Sequence, residues 1–383
     1  MIDVFQIADI FVTHAIKTHG DDVGIIAYYG SYALGSASPT SDLDLIFIPD
    51  EGKARSLFAC FVLNDISFDF FPISWQRAER LANGVGSWAV GPSLIAQAKP
   101  LYVRSEADLQ RFEALQARIA ELQSPDCKNE MVQRALDHFP TAVFHLGNLY
   151  LATMSNDFNS IRKAAWQVIM ASVECLALVN QRTFQRGWDS NLPEIMQLPL
   201  RPVELADWIT VLATAEDAAQ ITQTAESLVH STREILRQEQ QCLTKAEGIP
   251  AIFTDYYPEL HDKVNKIVVR AANGNRVGAS WAATFIQDEV THFIANALGE
   301  ANDEMFNLYH EYANSYRALQ LPALMRFTGE ANAEELANQS QQFDQAIQQW
   351  LVRQGVPLNQ LADLNSLTEF LETRDPYVLS SLL

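Results

Sequence analysis

The sequence predicts an α+β protein in which a small mixed-sheet domain, residues 1–124, precedes an all-helical region, residues 125–383. Three observations predict it. Up to Gln123, short apolar runs with strand patterning alternate with helical stretches. Beyond Ser124-Pro125-Asp126 the strand pattern disappears. From Asn129 onward nearly every segment repeats its apolar residues with a helical period, and Gly248-Ile249-Pro250 marks a candidate sub-boundary near 248–254.

Each element has its own signal. Residues 3–19 read as a helix: Asp3 can cap it, Val4, Ile7, Phe11 and Ala15 form a stripe, and Gly20 stands where a C-terminal cap belongs. Ile25 to Tyr29 reads as a buried strand that Gly30-Ser31 breaks with a tight turn. Asp42 to Ile48 alternates acidic and apolar residues, then runs apolar, as a second strand. Arg55 to Val62 is expected as a short helix, and Asp65 to Phe71 as a strand beside Leu43 to Ile48. A helix capped by Ser74 runs to Ala82, Lys99 to Val103 is a last strand, and Ser105 to Gln123 carries a helical stripe of Leu109, Phe112, Leu115, Ile119 and Leu122.

The helical region is expected as 131–155 and 159–181, the second capped by Asp157 or Asn159 and the pair closed by Arg186-Gly187-Trp188-Asp189. One or two helices over 203–247 follow, then 255–272, 280–298, 302–320, 330–355 and 366–373. The Gln-rich run 339–349 keeps an apolar stripe through Phe343, Ile347, Trp350 and Leu351, so it reads as an ordinary amphipathic helix. Glu289-Val290-Thr291-His292 has the spacing of di-iron bundles, but it occurs once where such sites need two copies, so His292 is expected to be structural.

With 383 residues the chain has room for two or three domains, and 48% apolar with 19% charged residues describes a globular protein. A formal net charge of −20 argues against a nucleic-acid partner, which needs clustered Lys and Arg. It would attract a cationic small molecule; solubility is the other reason for such acidity. Cys60, Cys127, Cys175 and Cys242 are far apart and form no Cys-x-x-Cys pair, so a reducing cytoplasm is expected. The most apolar helical stretch, 164–179, is short and contains Gln167 and Glu174, so no membrane partner is expected.

The chemistry concentrates in residues 25–48. Alternation puts the carboxylates of Asp42 and Asp44 on one strand face, and Asp69 opposite in face to Phe68 and Phe70 is carried beside them. Two carboxylates about 4 Å apart repel by roughly 4 kcal/mol at an effective dielectric near 20, so they share a proton or bind a hard cation. Magnesium takes oxygen ligands and completes its shell with water and substrate phosphates. Gly30 lets backbone approach a phosphate and Ser31 offers a hydroxyl and an amide. In the helical region, Arg162 and Lys163 lie just inside a helix start and either lean toward a nucleotide or form a solvated face. Glu174 sits between Val173 and Cys175 with Leu176 beyond, where a carboxylate is costly unless paired or functional.

Tyr29, Gly30, Ser31, Asp42, Asp44 and Asp69 together resemble the signature of the nucleotidyltransferase superfamily that includes DNA polymerase beta: an apolar residue, Gly-Ser, a gap of about ten, Asp-x-Asp and a later Asp. The resemblance covers roughly the first hundred residues. It implies that Asp42 and Asp44 hold magnesium, that Asp69 completes the catalytic ion's shell, and that Gly30 and Ser31 fix the triphosphate of an NTP, ATP in the first instance. Glu174 resembles in context the general base of the kanamycin-modifying members; Asp69 is the alternative. Minimal nucleotidyltransferases often read Gly-Ser-x-Ala-Arg-Gly, whereas Leu34 stands here at the arginine position. The implied reaction moves an NMP, AMP in the first instance, to an acceptor hydroxyl with release of pyrophosphate. An aminoglycoside-like small molecule is the first acceptor, a protein acceptor the second, and a nucleotide-binding regulatory module without turnover the third reading. Family resemblance also raises a homodimer.

Overall fold

A computed structural model describes residues 3–38, 41–64, 66–188, 190–243, 246–300, 309–326 and 333–373. The described chain is α+β, a five-stranded mixed sheet followed by helices alone. It falls into two compact units, Met1–Cys242 and Leu243–Leu383.

The first unit opens with α1 (Val4–His19), whose N-terminus is capped by the Asp3 carboxylate accepting from Phe5 N at 3.0 Å. Its buried stripe of Val4, Ala8, Phe11 and Ala15 packs on the sheet. The strands are β1 (Val23–Tyr28), β2 (Leu45–Pro49), β3 (Ala59–Leu63), β4 (Ile66–Pro72) and β5 (Lys99–Val103), in the order β3-β4-β2-β1-β5. Only β2 and β4 pair in parallel; the other neighbours are antiparallel. Central position explains composition: β2 is buried throughout, as a strand covered on both faces must be.

Between the strands lie α2 (Gly30–Leu34), α3 (Trp75–Ala82) capped by Ser74, α4 (Ser93–Ala96), and α5 (Glu106–Leu122) capped by Ser105. Three expectations change here. The helix expected over 55–62 is a single turn of 3-10 helix, Arg55–Leu57, followed by strand β3, because the stacking of Phe61 on Phe68 at 5.4 Å and the antiparallel ladder to β4 favour extended backbone. Asp42 and Asp44 precede β2 instead of lying in it; one bond, Tyr29 N to Asp44 O at 3.1 Å, carries the pairing that far. A short helix, α4, occupies what read as loop. Asp65, the first residue of the expected third strand, lies outside the described residues.

After Pro125 come α6 (Lys128–Ser155) and α7 (Phe158–Val179), packed as a hairpin through Asn156 in the left-handed conformation and Asp157, whose carboxylate caps α7. Asp189, expected to help close this pair, lies outside the described residues. Helix α7 is buried nearly all round in its second half, so it is the central helix of this part. Then follow α8 (Leu192–Ile195), α9 (Leu205–Thr214) and α10 (Ala218–Leu243).

The second unit contains α11 (Ile249–Phe253), α12 (Tyr257–Ala272), α13 (Arg276–Leu298), α14 (Tyr309–Tyr312), α15 (Asn314–Ala318), α16 (Ala333–Arg353) and α17 (Leu364–Thr373) around a core that includes Tyr257, Ile286, Val290, Phe343 and Leu351. Of the helices expected over 302–320 and 330–355, residues 302–308 and 330–332 lie outside the described residues. Glu289 and His292 serve different partners: Glu289 binds Lys263 Nζ at 2.9 Å and Tyr256 Oη at 2.5 Å, whereas His292 Nε2 meets Asn296 Nδ2 at 2.9 Å. Among the described residues no helix is long and apolar enough to cross a membrane.

Candidate active site

The site is built on the turn that ends β1. Gly30 adopts φ +69°, open to glycine and costly for other residues. A Cβ there would stand 2.3 Å from Asp44 Oδ2 and 3.3 Å from its Cγ, so the Asp44 carboxylate rests on the bare face of this glycine. Conformation and contact demand the same residue. Ser31 follows within α2, whose C-terminus closes through Gly35 and the bond from Ser36 N to Ser31 O at 2.9 Å.

The sheet brings the third acid alongside. Leu45 pairs with Phe70 in the parallel β2–β4 ladder, and one step back along that register sets Asp44 level with Asp69. Asp69 is exposed while Phe68 and Phe70 on the opposite face are buried, the alternation that the sequence predicted. Leu43 is buried, so Asp42 and Asp44 flank an anchored residue.

The electrostatics follow from this proximity. Burial, then Asp42, then Asp69 push the Asp44 carboxyl up to about 6. Burial first, then Asp44, Asp69 and Asp42, also hold the Tyr29 phenol well above its usual range. Among the described residues none of these aspartates forms an ion pair with Lys, Arg or His. Nor, among the described residues, do three His, Cys, Asp or Glu side chains stand in a ready-made metal-binding arrangement. The donor set still suits a hard divalent cation, since it offers oxygen only and carries negative charge without an internal counter-ion.

A cleft of about 200 Å³ opens beside Gly30 and Leu34. Its far wall is Gln97 after α4 and the segment Arg182 to Gln185 after α7. Sequence reading did not select this segment: it carries one exposed arginine and no motif.

The other candidates are not gathered at the aspartates. Glu174 is 5% exposed, and both oxygens are occupied: Oε2 accepts from Ser87 Oγ at 2.7 Å and Ala89 N at 3.2 Å, Oε1 from Trp88 N and from Ala89 N at 3.2 Å. Burial raises its pKa while these donors oppose the rise. A general base must reach a substrate hydroxyl. This carboxylate instead pins the 87–89 turn, which corrects its assignment as base. Arg162 donates to Leu212 O at 2.6 Å and Ala215 O at 2.5 Å, closing the C-terminus of α9, where carbonyls attract cations. Its guanidinium is thereby committed to the fold and not to a nucleotide. Lys163 is exposed and, among the described residues, makes no ion pair.

Residues 109–241 match the family described as KNTase C-terminal domain. That stretch is similar to a KNTase C-terminal domain. The match begins beyond the residues that carry the Gly-Ser and Asp-x-Asp signature, so two separate stretches point to one superfamily. A nucleotidyltransferase-like protein from Exiguobacterium sibiricum 255-15 aligns in structure over 62% of this chain and 79% of its own, at 8% identity and a TM-score of 0.38, a likeness too slight to weigh. No curated protein matches the chain. The KNTase-like stretch carries Glu174, Arg162, Lys163 and the Arg182 to Gln185 segment; the sheet carries the acids.

Proposed function

We propose that the protein is a metal-dependent nucleotidyltransferase that moves an NMP, AMP in the first instance, from NTP to a hydroxyl of a small cationic acceptor such as an aminoglycoside. The observation that carries this reading is the Asp44 carboxylate seated against Gly30 in a cluster of three acids without an internal counter-ion. Asp42, Asp44 and Asp69 would hold magnesium, which when bound neutralises phosphate charge and favours departure of pyrophosphate.

Gly30 and Ser31 receive the phosphate tail on a turn where the backbone and the Ser31 hydroxyl can approach it. The acceptor oxygen forms its bond to the α-phosphorus in line as the bond from that phosphorus to the pyrophosphate oxygen breaks. With Glu174 buried and engaged, the proton from the acceptor hydroxyl falls to Asp69, the exposed acid of the three. Positioning and electrostatics then supply most of the acceleration. The acid excess of the chain, −20, supports a cationic acceptor.

The test is titration of ATP, GTP, CTP and UTP into the full-length protein with and without magnesium, comparing wild type with Asp42→Asn, Asp44→Asn. Binding that needs magnesium and disappears in the variant supports the reading; pyrophosphate release on adding an aminoglycoside panel extends it to the acceptor. Wild-type protein that binds none of the four nucleotides sinks it.

A further inference from the structure

We infer that Arg182 grips the phosphate tail of the nucleotide, supplying from the helical part a cation that the Gly30 turn lacks. This rests on the nucleotidyltransferase reading above and adds to it a residue outside the signature.

The cleft beside Gly30 is lined on the turn side by Leu34, which has no charge to offer, and Arg182 is its sole cationic lining residue among the described residues. A polyanionic tail entering beside Gly30, against which the Asp44 carboxylate rests, calls for positive charge beyond that of a metal ion. Arg182 has charge to give. It is exposed and, among the described residues, its guanidinium makes no ion pair, whereas Arg104, Arg111, Arg118 and Arg134 are each engaged by carboxylates. A guanidinium also matches phosphate geometry with paired donors.

The side chain is free, but its base is fixed. Gln181 holds the left-handed conformation at φ +55°, and its amide donates to Leu122 O at 3.0 Å and Ser124 O at 2.5 Å. Arg182 N closes the end of α7 on Ala177 O at 2.9 Å. Two residues on, buried Phe184 donates through N to Ala89 O at 2.6 Å, and Ala89 N in turn is held by Glu174. Glu174 therefore reaches the site through the turn it pins. A free polar side chain on a locked backbone is how a binding residue is presented to a ligand. Arg182 would also repel a cationic acceptor, which assigns this wall of the cleft to the phosphates.

The test uses full-length Arg182→Ala and Arg182→Lys, calorimetric titration with magnesium ATP and with AMP, and a thermal melt. Arg182→Ala should weaken ATP by roughly 10–100-fold while AMP stays within about twofold, because only the longer tail reaches the guanidinium. Arg182→Lys should recover part of the loss by keeping charge without the fork. The melting temperature should not move, since the side chain is exposed and unpaired. Wild-type binding of ATP that survives Arg182→Ala overturns this inference alone, as does equal loss of ATP and AMP. A wild type that binds neither ATP, GTP, CTP nor UTP overturns the nucleotidyltransferase reading and this inference with it.

Discussion

Asp50 and Asp108 share one guanidinium; Asp42, Asp44 and Asp69, in the same unit, share none among the described residues. Arg104 donates Nη1 to Asp50 Oδ2 at 2.7 Å and Nε to Asp108 Oδ2 at 3.0 Å, and also reaches Asp21 O at 2.8 Å. Its hydrogen bond is the largest influence on Asp108, whose carboxyl it lowers below the usual range. Asp44 meets burial with no such partner and is raised to about 6. The same residue type, desolvated in the same domain, is thus balanced inside the fold at one place and left unbalanced at the other. At the first place the acids tie β5 and α5 to the start of β1. At the second, among the described residues, no ion pair within the fold offsets the charge, the charge arrangement expected where a ligand is to be bound.

The sharpest way to break this contrast is Gly30→Ala. The new Cβ displaces the Asp44 carboxylate by roughly 1 Å, and a misplacement of that size costs about 10²-fold where reacting groups must be aligned. Magnesium-dependent nucleotide affinity, followed by titration, should fall by that order, with the circular dichroism of the helices unchanged. Alanine at this position with wild-type affinity would show that Asp44 need not sit where it does. Arg104→Met attacks the other cluster. It should cost about 2 kcal/mol at pH 7, less than for a fully buried pair because Asp50 is half exposed, and it should leave nucleotide affinity alone. Denaturant unfolding measures the cost, and adding Asp108→Asn should restore part of it, since the stranded carboxylate is the source.

What was legible in the sequence was local. Asp3, Ser74 and Ser105 announce their helices because a cap is a contact between near neighbours. Gly30, Ser31, Asp42, Asp44 and Asp69 stand out by their spacing, and strand alternation fixes the face of Asp69 before any pairing is known, whereas Asp42 and Asp44 lie ahead of β2. What failed depended on distant partners. Strand β3 read as a helix because Phe61, Val62 and Leu63 are all exposed and lack alternation; only its ladder to β4 makes it extended. Glu174 was marked as a carboxylate needing a partner, but the partners are amides and a hydroxyl some 85 residues earlier in the chain. Arg162 spends its donors on carbonyls at 212 and 215, and Arg182 shares a cleft with Gly30 and Leu34 only once the chain is folded.

The smallest effect expected is also the most diagnostic. Because the folded Asp44 carboxyl is raised from 3.8 to about 6, the folded state holds a proton through that window that the unfolded chain has released. Stability therefore falls as pH rises from about 4 to about 6, the reverse of Asp108, whose lowered pKa gives stability that is present above the ordinary carboxylate value and lost as pH falls. Asp44→Asn should raise the melting temperature at pH 7 by ~2–4 °C, remove that part of the pH slope, and make no difference at pH 4. Millimolar magnesium should give wild type the same gain at pH 7, fading below about pH 6 as protons compete for the carboxylates, and should give the variant none. A variant that melts lower at pH 7 would mean that the field around Asp44 is already balanced within the fold, and the two acid clusters would then be of one kind.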